Sequence, residues 1–464
     1  MSRLIKQYLI ILGVASQIQL VDAADDLYKI LELALTNDPA LRGAEASYRA
    51  NKETVIQSRS LFRPSVGIGG TSSRLTSGPS DPIYRDIIDP ISGKKINVLV
   101  SEAHSFRPGV NNHGWGVNIN QSLVNVSNWY SLASAKANDQ AAAMNLIAQE
   151  QDLIMRVSMA YFNVLRAEEL LSVNLQEERA AQRSLEQTQQ REEVGLVAIT
   201  DVLDAQAAYD LARNTTILQQ NQVQSSYEAL EAITGQPHPT IEVLNAEFPI
   251  RSVDGDLREW EQQAEENNLA IASAEYSLEA SLKAVQARKS DRLPTVDLVG
   301  SFGHNVTAPI VSQGIQIGGG AFDRSSVSVS VSVPLYTGNS YSSRMRAAEF
   351  NAIAARENLT GTKRQLKQNI RNSYRKVNTD VLVIAQRQRS IESAQSALEA
   401  TELGAEVGTR NIVEVLRARE NLYRALRQYA EARFDYVIDT LLLKQTSGVL
   451  SPQDVLELNE WLDD

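Results

Sequence analysis

Two stretches of nearly seventy residues, Ser127 to Val194 and Asn339 to Val407, contain no proline. At about 1.5 Å per residue each can form a helix of roughly 100 Å. A compact globular chain has no use for two such elements. Each run stops at Val-Gly, Val194-Gly195 and Val407-Gly408, where glycine supplies the left-handed conformation that closes a last helical turn. Whatever this chain folds into is organised around very long helices, and the remaining segments must account for them.

The chain is also written twice. Asn37 to Ser73 and Asn267 to Gly303 both read as helix, proline, strand: Asn37 meets Asn267, Ala44-Glu45 meets Ala274-Glu275, and Pro64 meets Pro294. Further on, "EVGLVAITDVLDA" (Glu193 to Ala205) meets "EVGTRNIVEVLRA" (Glu406 to Ala418). Such self-similarity means one structural unit used twice, which places a first repeat at 24–235 and a second at 236–450. In each, a helix of about 30 residues ends at a proline. Two strands joined by a Gly-, Pro-, Ser- and Asn-rich loop come next, then the long helix. Asp38 to Phe62 together with Ile199 to Thr234 nearly match one long helix in length, and Leu257 to Arg292 with Asn411 to Lys444 repeat this. Each chain would then supply four helical columns of matched height.

The strands alternate. In "SSVSVSVSVPLY" (Ser325 to Tyr336), Val327, Val329, Val331 and Val333 oppose Ser326, Ser328, Ser330 and Ser332. Trp115, Val117 and Ile119 share a face in "WGVNINQSL", and Val296 and Leu298 oppose Thr295, Asp297 and Val299 less cleanly. A soluble sandwich gives the same period. Two observations favour a membrane barrel: aromatics gather at the strand ends, Trp115, Phe302 and Phe322 on the loop side and Phe62, Trp129, Tyr130 and Tyr336 on the helix side, as interfacial girdles do. The segment Arg74 to Asn112, with Pro79, Pro82, Pro90 and Pro108 and no periodicity, suits an extracellular loop. Valine would face lipid and serine a wet lumen. Four strands cannot close a barrel, and an open edge in lipid leaves unsatisfied backbone groups. The chain must therefore oligomerise, and small serines along one face favour three copies and twelve strands over two copies and a filled interior.

Arg3, Lys6, an apolar run from Tyr8 to Ala15 and Val21-Asp22-Ala23 have the three-part layout of a secretory signal, so 1–23 is expected to be removed; the run is too short for a bilayer span. No later stretch is long and apolar enough to be a transmembrane helix. The net charge of -11, with both signs interspersed, shows no basic face that would attract nucleic acid or anionic lipid. There is no cysteine, and His104, His113, His238 and His304 have no ligating spacing. With no nucleophile-base-acid set or phosphate loop, neither enzymatic activity, cofactor nor metal is expected.

The apolar stripe of the first long helix, Leu146, Leu153, Val157, Tyr161, Val164, Leu171 and Leu175, is narrow and thins afterwards to Ala180, Ala181 and Leu185. A helix of that kind packs sideways and shows water on its other faces, as the wall of a water-filled tunnel would; an extended coiled coil is the alternative. Val194-Gly195-Leu196 and Val407-Gly408-Thr409 would cap the helical hairpins far from the strands, as uncharged turns able to dock a partner or as simple turns. Asp201, Asp204 and Glu414 follow them. They either ring an aperture, with Arg410 pairing across helices, or serve their own helices, since Asn411 and Glu414 have capping-box spacing and Asp201 sits where a helix dipole favours an anion.

The duplicated layout, "VPLYTGN", "EVGLVAITDVLDAQAAYD", the segment Val407 to Leu462 and the early "DPALRGAEA" resemble the TolC family of outer-membrane channel proteins over nearly the whole mature chain. The resemblance implies a mainly helical fold with membrane β-structure, a long α-helical barrel continuous with a twelve-stranded β-barrel made by a homotrimer in the outer membrane of a Gram-negative bacterium. It implies an equatorial region to which 451–464 contributes. It also implies a periplasmic adaptor and an inner-membrane transporter of RND, ABC or MFS type as partners, outer-membrane lipid around the strands, and export of proteins or small toxic molecules. By motif, Val194 to Leu196 and Val407 to Thr409 correspond to adaptor-contacting tips, and Thr200, Asp201 and Arg410 to closing contacts. Glu414 stands where the type member has the first of two pore-lining aspartates. At the second position Arg417 replaces the acid and could pair with Glu414, three residues away, and Ala405 replaces a tyrosine of the gating network.

Overall fold

A computed structural model describes residues 24–77, 81–101, 107–312 and 315–463. The expected signal segment 1–23, as well as Pro79 and His104, lies outside them. The chain divides into two compact units. One contains the segment ending at Arg49, Gln140–Glu275 and Glu357 onward; the other contains Ala50–Asp139 and Tyr276–Arg356.

Element order follows the duplication. It runs α1 (Leu27–Asn37), α2 (Pro39–Ser60), β1 (Ser65–Ser77), β2 (Ile83–Ile88), β3 (Lys95–Ser101), β4 (Arg107–Val124), α3 (Val126–Glu193), α4 (Ile199–Thr234) and β5 (Val243–Leu244). The second half has α5 (Leu257–Asn267), α6 (Leu269–Ser290), β6 (Thr295–Thr307), β7 (Ile310–Ser312), β8 (Ile315–Ile317), β9 (Gly320–Ser332), α7 (Ser340–Glu406) and α8 (Ile412–Thr446), closed by α9 (Pro452–Asn459) and β10 (Leu462–Asp463). The two long helices, of 68 and 67 residues, begin and end within a residue or two of the proline-free runs.

Where one helix is expected before each proline, the structure has two. Asp38 ends α1, its amide donating to the Ala34 carbonyl at 2.8 Å, and starts α2 by accepting the Leu41 amide at 2.8 Å. Asn268 does the same between α5 and α6, accepting the Ala270 amide at 2.9 Å. Both breaks are tied to the end of a neighbouring helix by a side-chain amide, one position apart in the two repeats: Asn37 Nδ2 donates to the Thr234 carbonyl and Asn268 Nδ2 to the Thr446 carbonyl, each at 2.9 Å. A side chain that can satisfy the freed backbone groups makes a bend inexpensive here.

In the first unit the core gathers around the middle of α3. Leu153, Val157, Tyr161 and Val164 are buried as expected, together with Leu27 and Ile30 of α1, Ile370 of α7 and Phe434 of α8. Ile154, Met155, Phe162 and Leu165 are buried too, so the helix is covered well beyond a narrow stripe between 153 and 165. The segments that do this have no helical period to announce them: Asp25 bridges to Ile241, β5 pairs with β10, and Tyr161 donates to the Glu242 carbonyl at 2.8 Å.

In the second unit the four long strands form one antiparallel sheet in the order β1-β4-β6-β9. Register places Val66, Ile68, Val117, Ile119, Leu298, Phe302, Val327 and Val329 on one face. Ser65, Gly67, Asn118, Ser301, Ser326, Ser328 and Ser330 lie on the other. Phe322 opposes Asn305 on the serine face and so leaves the aromatic group, whereas Trp115 and Phe302 stack with centroids 5.6 Å apart. The described residues between Arg74 and Asn112 also form strands that the prolines of this segment do not suggest. β1 and β4 extend into it, and β2 pairs with β3 across a turn in which Asp89 accepts from the Ile91 amide at 3.1 Å. Among the described residues, no strand pairs with the outer edge of β1 or of β9.

Candidate functional site at the helical turns

Both Val-Gly breaks fold alike. At the first, the Gly195 amide donates to the Glu192 carbonyl at 2.8 Å and the Leu196 amide to the Arg191 carbonyl at 2.8 Å. At the second, Gly408 donates to Ala405 at 3.2 Å and Thr409 to Gly404 at 2.8 Å. This nested pair of bonds is the Schellman closure, which needs a left-handed residue. Gly195 and Gly408 provide it, with φ of 76° and 77°, and a Cβ at either would meet nothing within 4 Å. Conformation, not space, selects glycine at these sites. The turns leave Val194, Leu196 and Val407 about three-quarters exposed (70%, 69% and 75%), uncharged and apolar.

After the first turn, Ala198 caps α4 without a side-chain bond; Thr200 and Asp204 are exposed and Asp201 is half-buried in the first turn. No hydrogen bond or ion pair joins these three to Arg410 among the described residues. Arg410 instead donates from its guanidinium to Glu414 Oε2 at 2.8 Å, four residues along the same chain segment. This replaces the expected cross-helix pairing of Arg410 within the chain. It also leaves Arg417 exposed and not bonded to Glu414. Asn411 caps α8 by accepting the Glu414 amide at 2.9 Å; the Glu414 carboxylate is committed to Arg410, so only half of the capping-box exchange forms. Ala405 packs against a small cluster of Leu398, Val415 and Leu422.

Two features here have little sequence signal. Gly404, in the last turn of α7, makes room for the pair: a Cβ there would come within 2.7 Å of Arg410 Cγ and 3.3 Å of Thr409 Oγ1. Behind the turns, a polar groove of about 780 Å³ is bounded by α3, α7 and α8. It is strapped by Arg419, which donates to the Ala180 carbonyl of α3 at 3.0 Å and to Glu402 of α7 at 2.8 Å. Tyr423 and Arg427 continue the strap one and two turns along α8, to the Gln176 carbonyl at 3.2 Å and to Glu177. Their spacing of four was the available signal, but any exposed helix face carries charges at that spacing.

A family profile described as "Outer membrane efflux protein" matches residues 30–236 and 260–449, most of the chain. The chain belongs to the outer membrane efflux protein family. It is 34% identical over 440 residues to outer membrane protein TolC of Vibrio cholerae serotype O1, covering 95% of this chain and 94% of that one. It is 24% identical over 438 residues to the proteases secretion protein PrtF of Dickeya chrysanthemi, covering 93% and 89%. Among solved structures, the Campylobacter jejuni CmeC outer membrane channel superposes with a TM-score of 0.74 at 16% identity, covering 97% of this chain and 95% of that one.

An outer membrane efflux protein is a channel, not an enzyme. It is an outer-membrane protein with a large helical periplasmic part, and it is built as a trimer whose strands complete one barrel. It works with a periplasmic adaptor and an inner-membrane transporter as the exit duct of efflux and type I secretion systems. The open edges of β1 and β9 fit that assembly, since three four-stranded sheets pair edge to edge into twelve strands with none exposed.

Proposed function

We propose that this chain serves a transporter of the RND, ABC or MFS type, docking its adaptor through Val194-Gly195-Leu196 and Val407-Gly408-Thr409. The gate would be formed by Thr200, Asp201, Asp204, Arg410, Glu414 and Arg417. The family's description as efflux proteins and the similarity to a protein named for protease secretion support small toxic molecules and secreted proteins as cargo classes. The repeats 24–235 and 236–450 would each contribute one tip, and 451–464 would serve the equatorial region.

The observation that carries the docking reading is the matched pair of Schellman turns, each presenting uncharged, exposed side chains on a rigid helix end. Rigid apolar knobs lose little entropy on association. The gate reading rests on Glu414, whose carboxylate is oriented by Arg410 at the N-terminus of its helix. Three copies would then line one opening. Because the chain has no cysteine, a single Val194→Cys or Val407→Cys places a unique thiol on a tip. Cross-linking to an adaptor should occur at both and not at Ser172→Cys, on the exposed shaft of α3. Cross-linking from the shaft alone would refute the docking assignment.

A further inference from the structure

The lipid-facing side of the sheet changes character at one register row. From Val296 to Phe302 that face of β6 carries valine, leucine, glycine and phenylalanine; His304 is its first polar residue, with Val306 beyond it beside His113. Eight residues at about 3.4 Å, tilted by about 40°, span roughly 20 Å of membrane normal, close to the ~25 Å apolar band of outer-membrane barrels. The polar rows therefore lie at the outer interface, because β4 and β6 meet their loops at that end.

Three kinds of side chain are stacked there in membrane order. Lowest is the apolar row of Ile68, Val117 and Phe302. Above it lies the Trp115 indole, tilted against Phe302 and with its ring centroid 6.3 Å from that of His304, which is held by Asp323 at 2.6 Å. Next along the strands is His113, whose Nδ1 is 3.0 Å from Ser72 Oγ. With the hydroxyl taken as donor, Nε2 carries the ring proton as a free donor. Outermost is Arg74, which opposes Asn111 and lies across the Gly109 backbone; a Cβ on Gly109 would come within 2.4 Å of its Nε. A shallow hollow of about 360 Å³ opens between these rows over Gly70.

We infer that this shelf binds the phosphorylated glycolipid headgroup of the outer leaflet, through the Trp115 face against a sugar ring and Arg74 and His113 against its phosphate. Each element matches one part of that ligand. The apolar row below takes acyl chains, an indole face stacks on a pyranose, and guanidinium and imidazole N–H groups bind phosphate oxygens. Asp323 occupies the Nδ1 side of His304, which leaves Arg74 and His113 as the groups offered to an anion. The sequence shows no basic face because these two residues lie 39 positions apart and become neighbours only through the β1–β4 register. Once the barrel closes, each protomer carries one shelf, so the trimer holds three.

Native mass spectrometry of the detergent-purified trimer, titrated with a bis-phosphorylated hexa-acyl glycolipid, tests this. Up to three glycolipids should be retained per trimer. Arg74→Gln with His113→Gln should weaken retention by roughly tenfold or more, the loss of charge-assisted bonds. The same glycolipid stripped of phosphate should bind the wild type as weakly as the intact one binds the variant, and excess inorganic phosphate should not displace the bound lipid. Ser328→Ala, on the lumen face, should bind as wild type. Equal retention by the double variant, equal binding of the phosphate-free lipid, or displacement by inorganic phosphate would each overturn the proposal. Should the double variant not migrate as a heat-sensitive trimer, His113→Gln alone is judged by the same readouts.

Discussion

At the scale of single residues, the turns distinguish two reasons for glycine. Gly195 has open space around its absent side chain but a φ of 76°, so Gly195→Ala adds no clash and costs roughly 1 kcal/mol of backbone strain. Hydrogen exchange at the Leu196 amide, which closes the turn on Arg191, should accelerate about fivefold, while global stability hardly changes. Gly404 has ordinary helical geometry but no room. In Gly404→Ala the new methyl displaces Arg410 and frees the Glu414 carboxylate, as Arg410→Gln does directly. Both variants should therefore shift divalent-cation block of single-channel current in the same direction, and Glu414→Lys should shift it oppositely. Currents unchanged in all three would remove Glu414 from the lumen. Arg410, Glu414 and both turn glycines were visible as residues in the sequence, but the Arg410–Glu414 pairing was not. Whether Glu414 turns to Arg417, to Arg410 or to its own cap depends on rotamers that spacing alone does not choose between.

At the scale of elements, α7 and α8 are joined in mid-course by a carboxyl pair. Asp439 is buried and accepts from Lys376 Nζ at 2.9 Å, and the Asp380 carboxyl faces it. Burial first, then hydrogen bonding with Asp439 and repulsion from it, push the Asp380 carboxyl up to about 7, against the pull of Lys376; nearby Asp435, paired with Arg166, adds to the rise. The folded state thus holds a proton that the unfolded chain releases near the ordinary carboxylate value. This contribution is complete below that value and is lost as pH rises through about 7. The melting temperature of the trimer should fall as pH rises from about 4 to about 7 and level off above that, and Asp380→Asn should flatten that decline and stabilise the protein at the upper end.

The acid side has the opposite sign. A hydrogen bond from Arg156, first among its causes, holds the Asp38 carboxyl below the usual range, so its contribution fades as pH falls through the lowered value. Asp38 is 3% exposed and joins α1 to α2, so Asp38→Ala leaves Arg156 half-paired and the start of α2 uncapped. A loss of about 2–4 kcal/mol is expected in denaturant titrations. The helices themselves were legible because a 68-residue periodic segment has few other conformations open to it. The helix α1 that precedes Asp38 and the break at Asn268 were not legible, because each is held by a distant helix end arriving beside it.

At the scale of the whole molecule, the controlling fact is the four-stranded sheet, whose two edges are bare among the described residues. Within a bilayer every backbone group on those edges needs a partner, and three copies supply one. The mature chain should require detergent and migrate as a heat-sensitive trimer. Substituting proline at Ser328, in the middle of β9, removes a backbone donor from the ladder and should leave the protein unassembled, as read by the same gel shift. A detergent-free monomer with intact helicity would contradict the barrel.

The long helices, the doubled layout, the alternating strands and the need for more than one copy are all written along the chain. Each of these is set by local covalent facts: where proline is absent, where glycine stands, which side chains alternate. The tertiary structure decided what depends on chain segments meeting from afar. The buried collar around Tyr161 exists because Asp25 and Ile241 meet beside it. The Asp380–Asp439 pair forms because α7 and α8 lie side by side, and the Arg74–His113 shelf follows from the register of two strands. Periodicity assigns a residue to a face, but only packing sets what that face meets.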